Sequence, residues 1–587
     1  MKPLILKIAK VLLVVLALIC VGAGLIYYNA VNYDMYELKR DKEVLMGDLN
    51  ADEFARKMVS EMSFEEKVDQ MYGESYSSIA KLGINFLVEK RFPHVYVGGN
   101  ERLNLPPWVL SDGPRGARVM DHEVRAVTTF PVAMARGASW NKDLEYQVHD
   151  VIATEMRANK VNYAATPCIN LLRHPAWGRA QETYGEDPYL LGVFGVAAVQ
   201  AIESHHVMAC PKHFALNSIE NSRFVVDVEL DERTLREVYL PHFKKTIQEG
   251  KPASLMSAYN KVRGEYSGNN KELLTTILRE EWGFEGFISS DWISGTYDGP
   301  ASVDAGLNVE MPFQDAYSYE ALQNGIDQGK ISEAQIDELV YQSLKTRIPY
   351  AVASDKMDYG LDQILKPESI ALARQAAVES MVLLKNDEVL PFESKKEQTV
   401  LVLGALANME NTGDHGSSDS TPPYVITPLQ GIESLMEQTG ASVIYDDGSD
   451  LERASKLAKE ADQVIVVVGY TAEEEGEYIL VNREDIEASA KAGHLIGKKG
   501  LGGDRDHLSL LKRDEDLILA AGTVNPKSVV VYIGGSGIEM EAWRSKVPAI
   551  LFAWYGGMEG GNALADILYG NESPSGKLPF SIAKKES

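Results

Sequence analysis

The chain has 587 residues, 45% of them hydrophobic and 24% charged, an ordinary globular composition that is too long for a single core, so two or three domains are expected. A formal net charge of −27, from 58 Lys and Arg against 85 Asp and Glu, repels phosphate backbones and argues against a nucleic-acid partner. It suits a neutral ligand such as a sugar, although solubility alone explains it equally well. Cys20, Cys168 and Cys210 provide no disulfide framework and no Cys/His cluster with zinc spacing.

The N-terminus carries a targeting signal. Lys2, Lys7 and Lys10 precede an apolar run of 18 residues, Val11 to Tyr28, near the lower limit for crossing a bilayer. The leading positive charges predict a cytoplasmic N-terminus and an exported remainder. No Ala-x-Ala site follows, which favours an uncleaved anchor over a cleaved signal peptide. Ala17-Leu18-Ile19 before Cys20 matches a lipidation site poorly.

Ser63-Phe64-Glu65-Glu66 predicts a capping box opening a helix. From Trp108 to Pro312 short apolar runs end in polar residues and are followed by helical segments: WVLSDGP, NYAATPCINLLR, VMACPKHFALN, ASLMSAYN, GFISSDW and AGLNVEMP. Alternating strands and helices predict a parallel sheet, and polar groups at strand C-terminal ends predict a TIM-like (β/α) barrel. Asp231 caps ERTLREVYL between two of these runs, and Ser332 caps a later helix. TVLVLG, QVIVVVG, SVVVYIGG and PAILFAWYGG then predict the buried parallel strands of an α/β sandwich. The expected organisation is an anchor or signal over 1–30, a catalytic barrel over 50–350, a linker over 351–367 and a sandwich over 368–587.

Retaining glycoside hydrolysis needs two carboxyl groups about 5–5.5 Å apart, one attacking the anomeric carbon and one serving as acid and then base. Asp291 follows the apolar run Gly286–Ser290, and Trp292 beside it offers a face for a sugar. Read alone, such an Asp is more often a helix cap. Glu475, within Glu473–Glu477 after QVIVVVG, is the candidate partner; the plain alternative is a solvated acidic loop. Asp112 can accept hydrogen bonds from vicinal hydroxyls, and Arg118, Arg179 and Lys212 are charged donors. Lys212-His213, read as a charged pair at an apolar strand end, is costly without a task. Met256 and Tyr259 come from MSAYN. Gly534-Gly535-Ser536-Gly537 lacks the spacing of a phosphate cradle and reads as a turn.

The ordered series LSDGPRGAR, HPAWGRAQETYGEDP, PKHFALN, SLMSAYN, GFISSDW, EEEGEY with GGDRDHLSL, and GKLPF resembles glycoside hydrolase family 3, the β-glucosidase and β-xylosidase family, from roughly Phe54 to Phe580. Tyr259 and Asp291 stand 32 residues apart, as expected for a sugar-binding Tyr and the nucleophile. The resemblance implies a barrel followed by an α/β sandwich, Asp291 as nucleophile, and a sugar subsite of Asp112, Arg118, Arg179, Lys212, His213, Met256, Tyr259 and Trp292. It implies an acid/base Glu on the second domain, Glu475 first and Glu473 second, with Leu480–Lys499 as a loop over the site. The loop KHFALNSIENSR lacks the KHFPGHG-like His of the N-acetylglucosaminidase members, so His213 is expected to bind substrate.

The expected activity is an exo-acting β-D-glucosidase without metal or organic cofactor, with a β-xylosidase as the alternative. A non-catalytic carbohydrate receptor and a metal-dependent barrel hydrolase are the competing classes; the first would not need both Asp291 and the glutamate cluster, and the second lacks a recognisable ligand set. Expected partners are a β-glycoside and, through the N-terminal segment, the membrane, with a homodimer left open.

Overall fold

The computed structural model describes residues 39–74, 96–118, 126–478 and 502–585. The N-terminal apolar segment and the Leu480–Lys499 stretch lie outside these residues. Among the described residues no helix is long and apolar enough to cross a membrane.

The first domain contains β1 (Tyr72–Glu74), β2 (Tyr96–Val97), β3 (Trp108–Asp112), β4 (Tyr163–Ala165), β5 (Met208–Ala209), β6 (Asp227–Val228), β7 (Ser254–Met256), β8 (Lys261–Val262), β9 (Glu265–Tyr266), β10 (Phe287–Trp292) and β11 (Val309–Phe313). Two four-stranded sheets run in the orders β1-β11-β10-β7 and β2-β3-β4-β5, while β6, β8 and β9 form a small separate sheet. All pairings in the two larger sheets are parallel except β2 with β3. Hydrogen bonds from Met256 N to Pro211 O and from Phe214 N to Met256 O join the end of β5 to β7, and β1 packs on β2. The eight strands therefore follow one another around a ring. Its interior is filled: Trp108, Tyr163, Met208, Cys210, Phe287, Val309 and Met311 form one buried cluster, with the Trp108 and Tyr163 rings 4.5 Å apart. A filled ring leaves only the strand ends to carry chemistry.

Helices such as Lys142–Ala158, Pro188–Glu203 and Glu333–Val352 cover the strands. The caps expected at Ser63, Asp231 and Ser332 are present: Ser63 forms a full capping box, and at Ser332 the Gln335 side chain accepts from Ser332 N at 2.9 Å. Cys168 and Cys210 are free, buried thiols.

The second domain is built on β12 (Val382–Asn386), β13 (Thr399–Leu403), β14 (Ser442–Asp446), β15 (Gln463–Gly469), β16 (Ser528–Ile533) and β17 (Ala549–Phe552). Their order is β12-β17-β16-β15-β13-β14, and only β12 runs antiparallel. Every residue of β15, β16 and β17 is buried, as strands covered on both faces require. The apolar runs of the sequence mark β13 and β15–β17. The edge strand β14 escapes that reading because three of its five side chains are exposed.

The domains meet closely at Gly178. A Cβ there would lie 2.3 Å from both Gly476 O and Gly503 O. Only a residue without a side chain lets the two backbones approach to this distance.

Candidate active site

Asp291 lies at the C-terminal end of β10. Ser290 Oγ accepts a hydrogen bond from Met311 N at 2.9 Å, tying this strand end to β11. The chain then turns sharply. Ile293 takes a positive φ of 63°, and a Cβ on Gly295 would sit 2.6 Å from Asp291 N, so the turn folds directly over the aspartate. Asp291 is 5% exposed, and its Oδ2 accepts no hydrogen bond from the described residues. Burial pushes its carboxyl up to about 7 against the pull of Arg223, Arg179 and Lys212, with Glu477 adding to the rise.

His213 faces this carboxylate, with Nε2 3.6 Å from Asp291 Oδ2. Its tautomer follows from its other contacts. Asn170 Nδ2 donates to His213 O at 2.8 Å, which orients the amide so that Asn170 Oδ1 accepts from His213 N at 2.8 Å and from Nδ1 at 3.0 Å. Nδ1 therefore carries the proton and Nε2 presents a lone pair. Burial, then Arg179, Lys212 and Arg223, hold the imidazole pKa well below its usual value. The charged Lys212-His213 pair expected from sequence is thus one cation beside a neutral ring. Lys212 Nζ is bound to Asp112 Oδ1 at 2.7 Å, Tyr259 donates to Trp292 O at 2.8 Å, and Met256 closes β7 as a buried residue. Trp292 is half-buried beside Tyr259, Phe224 and Tyr478.

Arg179 grips Glu182 with two bonds of 2.8 Å. Its Nη1 lies 3.4 Å from Glu477 Oε1. Arg118 reaches the second domain, where it donates to Gly416 O at 2.8 Å. The structure thus gathers Arg179, Lys212, His213, Met256, Tyr259 and Trp292 about Asp291, reaches Asp112 through Lys212, and places Arg118 on the seam between the domains.

The glutamates after β15 have different fates. Glu473 is exposed, and Glu474 accepts from Thr471 N at 2.8 Å. Glu475 is 1% exposed. Its Oε1 accepts from Gly535 N at 2.6 Å and Tyr555 OH at 2.7 Å, while Oε2 lies 3.3 Å from Arg505 Nε. Glu477 is the glutamate that meets the arginines. Burial pushes its carboxyl up, but Arg179 and Arg223 overcome this and hold it well below the usual carboxylate range.

The sequence reading missed several groups. Arg223, in SIENSR just after PKHFALN, is buried with Nη1 3.0 Å from Glu220 Oε2 and its guanidinium 4.8 Å over the Tyr259 ring; its Nε has no hydrogen-bond partner among the described residues. Glu220 sits at i−3 from Arg223, and burial pushes its carboxyl up to about 8. Asp504 of GGDR accepts from the amides of Gly178, Glu220 and Asn221, each at 3.0 Å. The i, i+3 pairings Arg179–Glu182 and Glu220–Arg223 were the available signals.

The sequence models of the glycosyl hydrolase family 3 N-terminal and C-terminal domains match residues 99–345 and 381–587. Thermostable beta-glucosidase B of Acetivibrio thermocellus is 35% identical over 509 residues, which are 83% of this chain and 63% of that protein. An exo-alpha-(1->6)-L-arabinopyranosidase of Bifidobacterium breve is 32% identical over 519 residues with the same shares, so the chain spans 63% of the length of both curated relatives. Beta-glucosidase 3B of Thermotoga neapolitana, solved with glucose, superposes with a TM-score of 0.74 at 30% identity, covering 90% of this chain and 76% of that one. The chain belongs to glycosyl hydrolase family 3.

Proposed function

We propose that the protein is an exo-acting retaining β-glycosidase, a β-D-glucosidase that removes terminal non-reducing glucosyl residues, with its ring of strands acting as an irregular (β/α) barrel. The observation that supports this best is the environment of Asp291. Its carboxylate oxygen is buried at a strand end, uncommitted, and faces a neutral His, a Lys–Asp pair and two arginines. In this reading Asp291 attacks the anomeric carbon and forms a glycosyl ester, and the subsite of Asp112, Arg118, Arg179, Lys212, His213, Met256, Tyr259 and Trp292 holds the sugar. The Nε2 lone pair of His213 accepts from a sugar hydroxyl rather than donating a proton to it.

Glu475 is proposed as the acid/base. Two facts support it: it stands at the domain seam, where Gly535 packs against both Glu475 and Gln181, and its Oε2 accepts no hydrogen bond from the described residues. Glu475→Gln should slow alkyl glucosides far more than dinitrophenyl glucoside, because only the former need a proton on the leaving oxygen. If Glu473→Gln shows that pattern instead, the assignment is wrong. The activity is tested by trapping with a 2-fluoroglucoside and mapping the labelled peptide; label on any residue other than Asp291 overturns the mechanism.

The arabinopyranosidase among the relatives favours a second reading, an exo-glycosidase for pentopyranosides, which lack the C6 hydroxymethyl of glucose and include the xylosides. Nitrophenyl glucoside, xyloside and arabinopyranoside compared by kcat/KM separate the two. We also propose that the protein works outside the cytoplasm, anchored or exported by its N-terminal segment. Finding it in the soluble cytoplasmic fraction would refute this. The homodimer remains a proposal that sedimentation tests.

A further inference from the structure

We propose that Glu477 is a positioning residue of the sugar pocket, a carboxylate carried in by the second domain that holds the Arg179 and Arg223 guanidiniums of the first domain in place beside Asp291. This rests on the glycosidase reading above.

The geometry is a row of five buried ionisable side chains, carboxyls alternating with guanidiniums: Glu220, Arg223, Glu477, Arg179, Glu182. Each arginine has its own first-domain carboxylate three residues away in sequence, Arg179 with Glu182 and Arg223 with Glu220. Between them lies Glu477 Oε1, 3.4 Å from Arg179 Nη1 and 3.2 Å from both terminal nitrogens of Arg223. The two arginines are 1% and 3% exposed. Without the central carboxylate, two poorly hydrated cations would face one another in a dry seam, and each would turn towards other acceptors.

Glu477 itself cannot shift easily. Its Oε2 accepts from Ser417 N at 2.6 Å, its own amide donates to Asp414 Oδ2 at 3.0 Å, and a Cβ on Gly416 would touch its side chain at 2.6 Å. Both oxygens are committed to a backbone amide and to two cations. Its carboxylate is therefore fixed between the two domains as an acceptor, and the assay below separates this role from that of an acid/base. Glu477 also makes the pocket conditional on docking of the second domain, because the arginines alone do not define their own positions.

The test is steady-state kinetics of Glu477→Gln and Glu477→Asp on nitrophenyl and alkyl glucosides. Gln keeps the shape and removes the charge; Asp keeps the charge and withdraws it by one methylene, so a folding failure of the first leaves the second to decide. The expected result is a KM raised about tenfold or more with kcat changed less than about threefold on both substrates, and no glycosyl azide product when azide is added. An unchanged KM overturns the proposal. So does a kcat that collapses on the alkyl glucoside alone with formation of β-glycosyl azide, since azide then replaces a missing acid/base on the glycosyl-Asp291 ester. Wild-type protein that hydrolyses no glycoside sinks the glycosidase reading instead, whereas active wild type with an unchanged KM in both variants sinks the positioning role alone.

Discussion

Asp291→Asn should abolish turnover and at the same time stabilise the protein, increasingly so as pH rises. Burial raises the carboxyl from its ordinary 3.8 to about 7, so in the range between these values the folded chain keeps a proton that the unfolded chain has lost. Stability therefore falls with rising pH across that window, because the native state binds more protons than the unfolded state. The loss is complete above about pH 7, and moving a pKa by one pH unit on folding is worth about 1.4 kcal/mol. From about 4 to about 7 the full effect is about 4 kcal/mol, an upper bound. Measured between pH 5 and pH 8, about 2–3 kcal/mol of it remains. Asn carries no titrating proton and nearly the same volume, so it escapes the loss while every other ionisable group titrates alike in both proteins. Urea unfolding of wild type and variant at the two pH values reads the difference directly. The midpoint gap should widen from pH 5 to pH 8 in favour of Asn. A gap that is constant with pH, or that closes, would refute the claim that a buried, uncompensated carboxylate is held there against its own solvation.

The same carboxyl should set the acidic limb of the pH profile: kcat/KM should fall about tenfold per pH unit below about pH 7 as the nucleophile is protonated, and a limb centred near the ordinary carboxylate value would show that the arginines win over burial. Gly178→Ala places a methyl where two carbonyl oxygens stand at 2.3 Å, so the seam must open; a cost of about 1–3 kcal/mol in urea melts and a higher KM are expected, and unchanged values for both would contradict the close approach. Asp504→Ala leaves the amides of Gly178, Glu220 and Asn221 without their acceptor. Since Asp504 is only half-buried and water can replace part of it, a loss of about 2–4 kcal/mol is expected, with Asp504→Asn recovering part of it; a loss below about 0.5 kcal/mol would mean that water already serves those amides.

What was legible in the sequence follows from what each residue must satisfy locally. QVIVVVG and SVVVYI read as strands because β15 and β16 are buried on both faces, and nothing but apolar β-formers fits there. The capping box at Ser63 and the cap at Ser332 read correctly because their partners lie three residues away. Asp291 could be placed at a strand end for the same reason. The neutral state of His213 could not be read, since it depends on burial, on Asn170 and on Arg179 and Arg223, which other parts of the chain bring near. The acidic run Glu473–Glu477 is the clearest case. By composition it is a solvated loop, and for exposed Glu473 that is true, yet Glu475 and Glu477 are buried by partners that sequence does not bring near: Arg505, Tyr555 and Gly535 for one, Arg179 and Arg223 for the other.

Those partners also explain why a strongly acidic chain keeps so many buried or half-buried arginines at one place. Arg115, Arg118, Arg179 and Arg223 of the first domain all end on second-domain groups: the Asp414 carbonyl and the Asp419 carboxylate, the Gly416 carbonyl, Glu477, and Glu477 with the Tyr478 carbonyl. Buried ion pairs repay little net stability, because desolvation offsets most of their attraction. A greasy seam would hold two domains together at least as well, but it would tolerate sliding. Charges that are lost if left unpaired permit only the register in which each finds its acceptor. The arginines that fix this register, Arg179 and Arg223, are the ones that face Asp291, so domain docking and the proposed sugar recognition draw on the same side chains. A substitution anywhere along the seam should therefore change KM before it changes the fold.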